Sequence, residues 1–324
     1  MIYTSIIVPA VRMHIPALLG PDPAASPLFQ LLAPRSGERV IDATAGLGGH
    51  SFAFARAIAP AGELTCIDAD VLNLESARAK LGASSVHQTF IRANFRDIAT
   101  LRLQPADILL ADLGLSSPHV DDPERGFSYR HTSPLDLRFD RSRGATAAEL
   151  LRTLGHDRLA RAFRELGELR QPALLARALC EARASGKTPQ TTDALRAIVE
   201  ETYGWRAPSV LPQAFQALRM LVNDELGALS ELLLAVPSLL RPGGRCGVIS
   251  YHSLEDRLVK RAFRSLTTPQ IDMRTGQETA PAAFVLLTRR PVRPDAAEIQ
   301  RNPRVRSALF RAISRRDAGG ILPS

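Results

Sequence analysis

Apolar positions fall in two different rhythms along this chain. Between residues 37 and 118, short apolar runs alternate with stretches of helical period. Val40–Asp42 reads as a first strand, Thr44–Gly49 as a turn and Ser51–Ile58 as an apolar-faced helix. Leu64–Asp68 is a second strand, Asn73–Leu81 a helix closed by Gly82, and Thr89–Arg92 a short third strand. Asp107–Asp112 is apolar between two acids, the pattern of a strand buried on both faces. Such alternation predicts parallel strands joined by right-handed crossovers.

The rhythm then changes. Residues 119–143 are polar without period and predict a long irregular loop. Thr146-Ala-Ala-Glu149 has the form of a capping box opening a helix. Asp157–Leu169 carries Leu159, Ala162, Phe163 and Leu166 on one stripe. Pro172 sits where a first helical turn accepts it, before a helix over Ala173–Ala184, with Gly186 just beyond. Thr192–Tyr203 is another amphipathic helix, stopped by Gly204. No strand pattern interrupts this stretch, which predicts an all-helical insertion. The α/β rhythm resumes with one long helix over Gln213–Leu240, ended by Pro242-Gly243-Gly244. A strand over Arg245–Ser250, a helix over Leu254–Arg264 and a final strand over Phe284–Thr288 follow.

The strand tips carry the candidate chemistry. Strand one ends in Asp42-Ala-Thr-Ala-Gly-Leu-Gly-Gly-His50, and strand two ends in Asp68, 19 residues after Gly49. In a doubly wound sheet, glycines at this turn let the backbone approach a nucleotide, and an acid on the next strand accepts ribose hydroxyls. A pyrophosphate turn would read Gly-x-Gly-x-x-Gly, and the third glycine is missing here. The looser Asp42-x-x-x-Gly46-x-Gly48 form suits S-adenosylmethionine, which has no pyrophosphate; a glycine turn that only packs a helix shares the pattern. Asp70 reads equally as a cap of the next helix. Phe95, after strand three, either lies against an adenine or belongs to the core. Asp112-Leu-Gly-Leu-Ser-Ser-Pro-His119 follows strand four, where a reacting group belongs. A carboxylate there either holds the cofactor's amino group or accepts a hydrogen bond from a substrate amine. In His252-Ser-Leu-Glu-Asp256, Ser253 and Asp256 form a capping box and Asp256 pairs with Lys260, which leaves His252 for the cleft.

Composition adds limits. The chain has 324 residues, 45% hydrophobic and 23% charged, enough for one large globular domain plus an addition. No apolar run approaches the ~20 residues of a membrane span. Met1–Ala10 lacks the basic start and cleavage site of a signal peptide. Cys66, Cys180 and Cys246 are too scattered for a metal or redox pair and read as free thiols in a reducing cytoplasm. The formal charge of +8 is nearly all arginine, since Lys80, Lys187 and Lys260 are the lysines. Its position says more than its size: Arg289 to Arg316 holds nine arginines against Asp295 and Glu298. Such a tail is either a phosphate-binding footprint or a solvated terminus.

Taken in order, these segments resemble one family, the bacterial 16S rRNA (cytosine-N4)-methyltransferases. The stretches that carry the resemblance are His14–Leu19, Asp42–His50, Asp112–Pro118, Asp121–Tyr129, Ser133–Phe139, Phe215–Arg219, Val222–Leu226, Leu240–Gly244, His252–Arg257 and Asn302–Ser307. The resemblance implies an α/β fold, a class I Rossmann-like methyltransferase sheet with an inserted all-helical domain. The methyltransferase domain would take residues 1–120 and 210–324, and the RNA-facing loop and helices 121–209. It implies S-adenosylmethionine as cofactor, held by Gly48, Gly49, His50, Asp68, Phe95, Asp112 and His119. It implies 16S rRNA or the small ribosomal subunit as partner, in the cytoplasm, with no metal and no membrane; the oligomeric state stays open.

An exocyclic cytosine amine is a poor nucleophile because its lone pair is delocalised into the ring. It must be unstacked, oriented and polarised by hydrogen-bond acceptors. Asp112 and the loop through Ser116 and Pro118 are the expected acceptors. Phe127 or Tyr129 either stacks on the base or packs the long loop against the helices. His252 faces the cleft, and Arg304, Arg306 and Arg311 hold phosphates. The chain departs from the family pattern at His119, where a glutamine is usual, and at Leu166–Arg170, Pro208–Gln213 and the cysteine-free Thr267–Ala282. The cofactor core therefore matches better than the RNA-facing part. A paralogue acting on another nucleic-acid amine and a silent RNA-binding relative stay open beside the main reading. The insertion and tail argue against a small-molecule or protein substrate, and the missing third glycine against a nicotinamide enzyme.

Overall fold

The computed structural model describes residues 16–20, 22–115, 122–272 and 274–317. Seven strands form one sheet: β1 (Arg39–Asp42), β2 (Glu63–Asp68), β3 (His87–Arg92), β4 (Ala106–Asp112), β5 (Leu240–Ser250), β8 (Phe284–Leu286) and β9 (Leu309–Arg315). Their order is β3-β2-β1-β4-β5-β9-β8. The first five run parallel, while β9 is antiparallel to β5 and β8 to β9. A separate two-stranded ribbon pairs β6 (Gln270–Ile271) with β7 (Glu278–Ala280).

Strand β4 shows why the sheet needs two covers. Its first six residues are buried; Ile108 and Leu110 point into one apolar cluster, and Leu109 and Ala111 into another. That is the period of two expected of a strand between two layers. Helices α1 (Pro27–Leu32), α2 (Gly49–Ile58) and α3 (Val71–Leu81) supply the first cluster. Three more helices, α4 (Ala147–Thr153), α5 (His156–Glu165) and α6 (Pro172–Ala184), build a third cluster together with α7 (Thr192–Tyr203) and α8 (Ala207–Asn223). Helices α9 (Glu225–Leu239) and α10 (Ser253–Leu266) cover the sheet's second face, and a short α11 (Ala296–Arg301) precedes β9. Thr146 and Glu149 close the expected capping box at α4. No helix among the described residues is long and apolar enough to cross a membrane.

Four expectations change. The single helix over Gln213–Leu240 is two helices, broken at Asp224, whose φ is +46°. Apolar periodicity continues through the break because α8 buries its stripe among helices and α9 buries its stripe on the sheet. Strand β5 starts at Leu240, with the Pro-Gly-Gly stretch inside it and a shift of register against β4. The last strand is β9 rather than Phe284–Thr288; two arginines within Leu309–Arg315 hide its apolar alternation. The helix expected over Asp157–Leu169 stops at Glu165, because Glu168 takes φ +51°.

The long loop is held rather than loose where it is described. Arg125 is buried, donates to Asp70 at 2.6 Å and reaches the Phe139 carbonyl at 2.8 Å. The Asn223 side chain donates to the Leu137 carbonyl and accepts from the Phe139 amide, tying the loop to the end of α8.

Candidate active site

A cavity of about 460 Å³ opens beyond the carboxyl ends of β1, β2, β4 and β5. Open α/β sheets bind ligands at this edge. One side is the glycine turn with Asp68 and Phe95; the other is a polar wall from α8, α9 and the start of α10.

The glycine turn is organised around Asp68. Its carboxylate accepts from the Gly46 amide at 2.8 Å, the Asp70 amide at 2.8 Å and the Asn73 side-chain amide at 3.3 Å. The acid is thereby oriented at the tip of β2 and faces the cavity. Asp70 caps α3 through the Leu72 amide and pairs with Arg125. Phe95, His50 and Gly49 line the cavity. Gly48 is a correction: it does not line the cavity but packs under α3. It takes φ +73°, and a β-carbon there would sit 2.8 Å from the Ala77 Cα. Gly46 lines the cavity instead.

Asp112 sits at the tip of β4 between two side chains. Tyr251 Oη donates to its Oδ1 at 2.9 Å, and His50 Nδ1 lies 3.5 Å from its Oδ2. Burial pushes the Asp112 carboxyl up to about 7; the Tyr251 hydrogen bond opposes this and the Glu255 charge adds to it. Burial also lowers the His50 pKa, which keeps the ring neutral. Its Nε2 contacts the Ala17 carbonyl at 2.9 Å, so Nε2 carries the proton and Nδ1 is left as an acceptor toward Asp112. Deeper in, Asp42 accepts from Ser51 at 2.5 Å and the Thr44 amide at 3.2 Å, and burial raises its pKa.

The polar wall was not anticipated. Arg219 grips Glu225 with two hydrogen bonds of 2.7 and 2.9 Å. Glu255 accepts from the Tyr251 amide at 2.9 Å and lies 3.0 Å from His252. Burial opposes ionisation of Glu255, but His252, the Tyr251 amide and Arg219 together hold its carboxyl below the usual range. Glu225, His252 and Glu255 bring potential ligand atoms within 4.8 Å of one another, yet the Arg219 fork already takes both Glu225 oxygens. His252 lines the cavity and its side chain caps α10, so the cap is His252 rather than the capping box placed at Ser253 and Asp256.

The other expected residues divide. Phe127 stacks on Phe139 at 5.6 Å and Tyr129 tilts against Phe215 at 5.3 Å, so both pack the loop on the helical cluster. Phe139 reaches the cavity in their place. Arg304 lines the cavity, and Arg306 is exposed on the turn Pro303–Ser307. Arg311 is a correction: it is 8% exposed within β9 and donates twice to Asp256, at 2.7 and 2.9 Å. Asp256 is thereby taken by Arg311 rather than by Lys260. Ser116, Pro118 and His119 lie outside the described residues. Tyr251, missed in the sequence, directly follows a strand end and directly precedes His252; that adjacency was its one signal.

A protein of Thermomicrobium roseum named ribosomal RNA small subunit methyltransferase H is 42% identical over 95% of each chain. Proteins of the same name from Symbiobacterium thermophilum and Halorhodospira halophila are 39% and 40% identical. The first covers 94% of this chain and 98% of its own, the second 95% of each. The model of the MraW methylase family matches residues 14–316, glycine turn and helical cluster alike. With the match spanning almost the whole length, the chain belongs to the MraW methylase family.

Proposed function

We propose that this protein transfers a methyl group from S-adenosylmethionine to the exocyclic N4 amine of a cytosine in 16S rRNA, in the cytoplasm. The names of its relatives support the rRNA substrate. The observation that carries the chemistry is Asp112: a carboxyl raised to about 7, lining the cavity and held by the Tyr251 hydroxyl.

The cavity suits the cofactor's parts. Asp68 is an oriented acceptor for two ribose hydroxyls, and Phe95 offers an aromatic face beside it. Bound there, the cofactor supplies an electrophilic methyl on a sulfonium. The amine must lose a proton as its new N–C bond forms. Asp112 is the acceptor for that proton, with an affinity matched to neutral pH. Tyr251 holds Asp112 in place by its 2.9 Å hydrogen bond, and the ring of Tyr251 lies over Gly114, where a β-carbon would come within 2.9 Å. Glu255 stays ionised nearby, and its charge helps keep Asp112 protonatable. Two carboxylates pushed in opposite directions is the arrangement expected where one must exchange a proton.

Mass mapping of 16S rRNA from a deletion strain, before and after incubation with protein and cofactor, tests the reading. One cytosine should gain 14 mass units on its base, as the replacement of N–H by N–CH3 requires. Methylation of a different base sinks the N4 assignment. RNA binding with no methyl transfer replaces it with a silent RNA-binding relative.

A further inference from the structure

We propose that the outward face of α10 is a track for the RNA phosphate backbone that leads to the cavity; this rests on the rRNA reading above. Arg257, Lys260, Arg261 and Arg264 recur at intervals of three and four and are all exposed, while Glu255, Val259 and Phe263 are buried. Residues at these intervals share one helical face. The helix's own acids are drawn away from that face. Glu255 turns in to His252, and Asp256 is locked to Arg311 by two hydrogen bonds of 2.7 and 2.9 Å. Among the described residues, Glu168 meets Arg257 at 3.4 Å and accepts from Ser253 at 2.7 Å; Lys260, Arg261 and Arg264 have no carboxylate partner.

The helix dipole explains part of this charge. Cations favour the last turn, which accounts for Arg264. It does not account for Arg257, Lys260 and Arg261, which lie in earlier turns. The start of the same helix is the second observation: His252 caps it and Glu255 sits in its first turn, and both line the cavity. The helix therefore begins at the cavity wall, and its basic face, on the side turned away from Glu255, runs outward for about 10 Å between Arg257 and Arg264. An extended polyanion whose reacting base enters the cavity fits that layout. An acidic protein surface would match the charge but gives no reason for the helix to start at the site.

The probe is unmodified 16S rRNA, free and within small subunits, bound to the full chain between about 50 and 200 mM salt. Replacing Lys260, Arg261 and Arg264 together by alanine should lower the slope of log affinity against log salt by about 2 for single-stranded contacts. Over that salt range the wild type then loses about 16-fold more affinity than the variant. Cofactor binding should not change. The variant Arg261→Lys, Arg264→Lys keeps the charges and should keep the wild-type slope. An unchanged slope in the alanine variant, with wild type binding RNA normally, overturns the track alone. Failure of the wild type to bind either form of the RNA overturns the rRNA reading and the track with it.

Discussion

The hydroxyl of Tyr251 donates to Oδ1 of Asp112 at 2.9 Å, joining the first residue after β5 to the last residue of β4. The bond stabilises the ionised carboxylate against the burial that pushes its pKa up to about 7. Tyr251→Phe removes it. Hydrogen bonds to charged groups are worth about 1.5–3 kcal/mol, so the Asp112 pKa should rise by about one unit or more. The acid limb of the pH–rate profile should move up accordingly, with cofactor affinity unchanged. A limb that stays where it was means Tyr251 does not tune Asp112.

Asp112→Asn separates chemistry from stability. The amide cannot take a proton, and methyl transfer should fall by about 100- to 10,000-fold. The folded pKa of Asp112 is raised, so its contribution to stability is full below the unfolded value near 3.8 and is lost as pH rises through about 7. Asparagine has no such loss. The variant should match the wild type at pH 4 and exceed it at pH 8 by a few kcal/mol, about 4 at most. Thermal unfolding at the two pH values reads this directly, and equal stability at pH 8 would show that the carboxyl is not strained there.

Asp68 predicts a cofactor effect without a rate effect. Asp68→Ala removes the oriented acceptor and also frees the Gly46 and Asp70 amides that it holds. Affinity for S-adenosylmethionine should fall by about 10- to 100-fold, as expected for losing one charged hydrogen bond. Calorimetry checks it, and the rate at saturating cofactor should stay near the wild-type value. Tight binding by the variant would move the ribose elsewhere.

How much of this was legible depended on how local the signal was. Strands β1 to β4 and the three acids at their tips, Asp42, Asp68 and Asp112, follow from apolar runs ending in turns, because alternation puts every such tip at one edge of the sheet. The capping box at Thr146 is a four-residue pattern and was equally plain. Tyr251 and Asp112 lie 139 residues apart, and no local period records their meeting. The break at Asp224 was hidden because helices α8 and α9 keep one apolar rhythm against two different partners. Strand β9 was hidden because its arginines read as tail charge, although Arg315 is satisfied by the Pro237 and Leu240 carbonyls and Arg311 by Asp256.

The Arg219–Glu225 pair lines the cavity wall with 14% and 9% side-chain exposure. Removing one member of a buried pair leaves the other charge uncompensated, at a cost of about 3–5 kcal/mol. Arg219→Ala should therefore lose that much stability. The double change Arg219→Met, Glu225→Leu should recover most of it, since replacing both charges with apolar groups is often neutral. Denaturant unfolding of the three proteins decides. A double variant as unstable as Arg219→Ala would mean the pair supports the fold through more than its own charges.

Two arginines of the tail should behave in opposite ways. Arg311 is buried in β9 and bound twice to Asp256, so Arg311→Ala strands a carboxylate that is 18% exposed. It should lower stability by about 3 kcal/mol or more and leave the salt dependence of RNA binding alone. Arg306 is exposed on Pro303–Ser307, on the same turn whose Arg304 lines the cavity. Arg306→Ala should leave the unfolding midpoint within about 0.5 kcal/mol of the wild type. If Arg306 holds a phosphate, the same change lowers the salt slope by about 0.7 to 0.9. Unfolding curves and salt titrations of both variants give four readings. A slope that falls for Arg311→Ala but not for Arg306→Ala would reverse the assignment and place the phosphate contact in the strand.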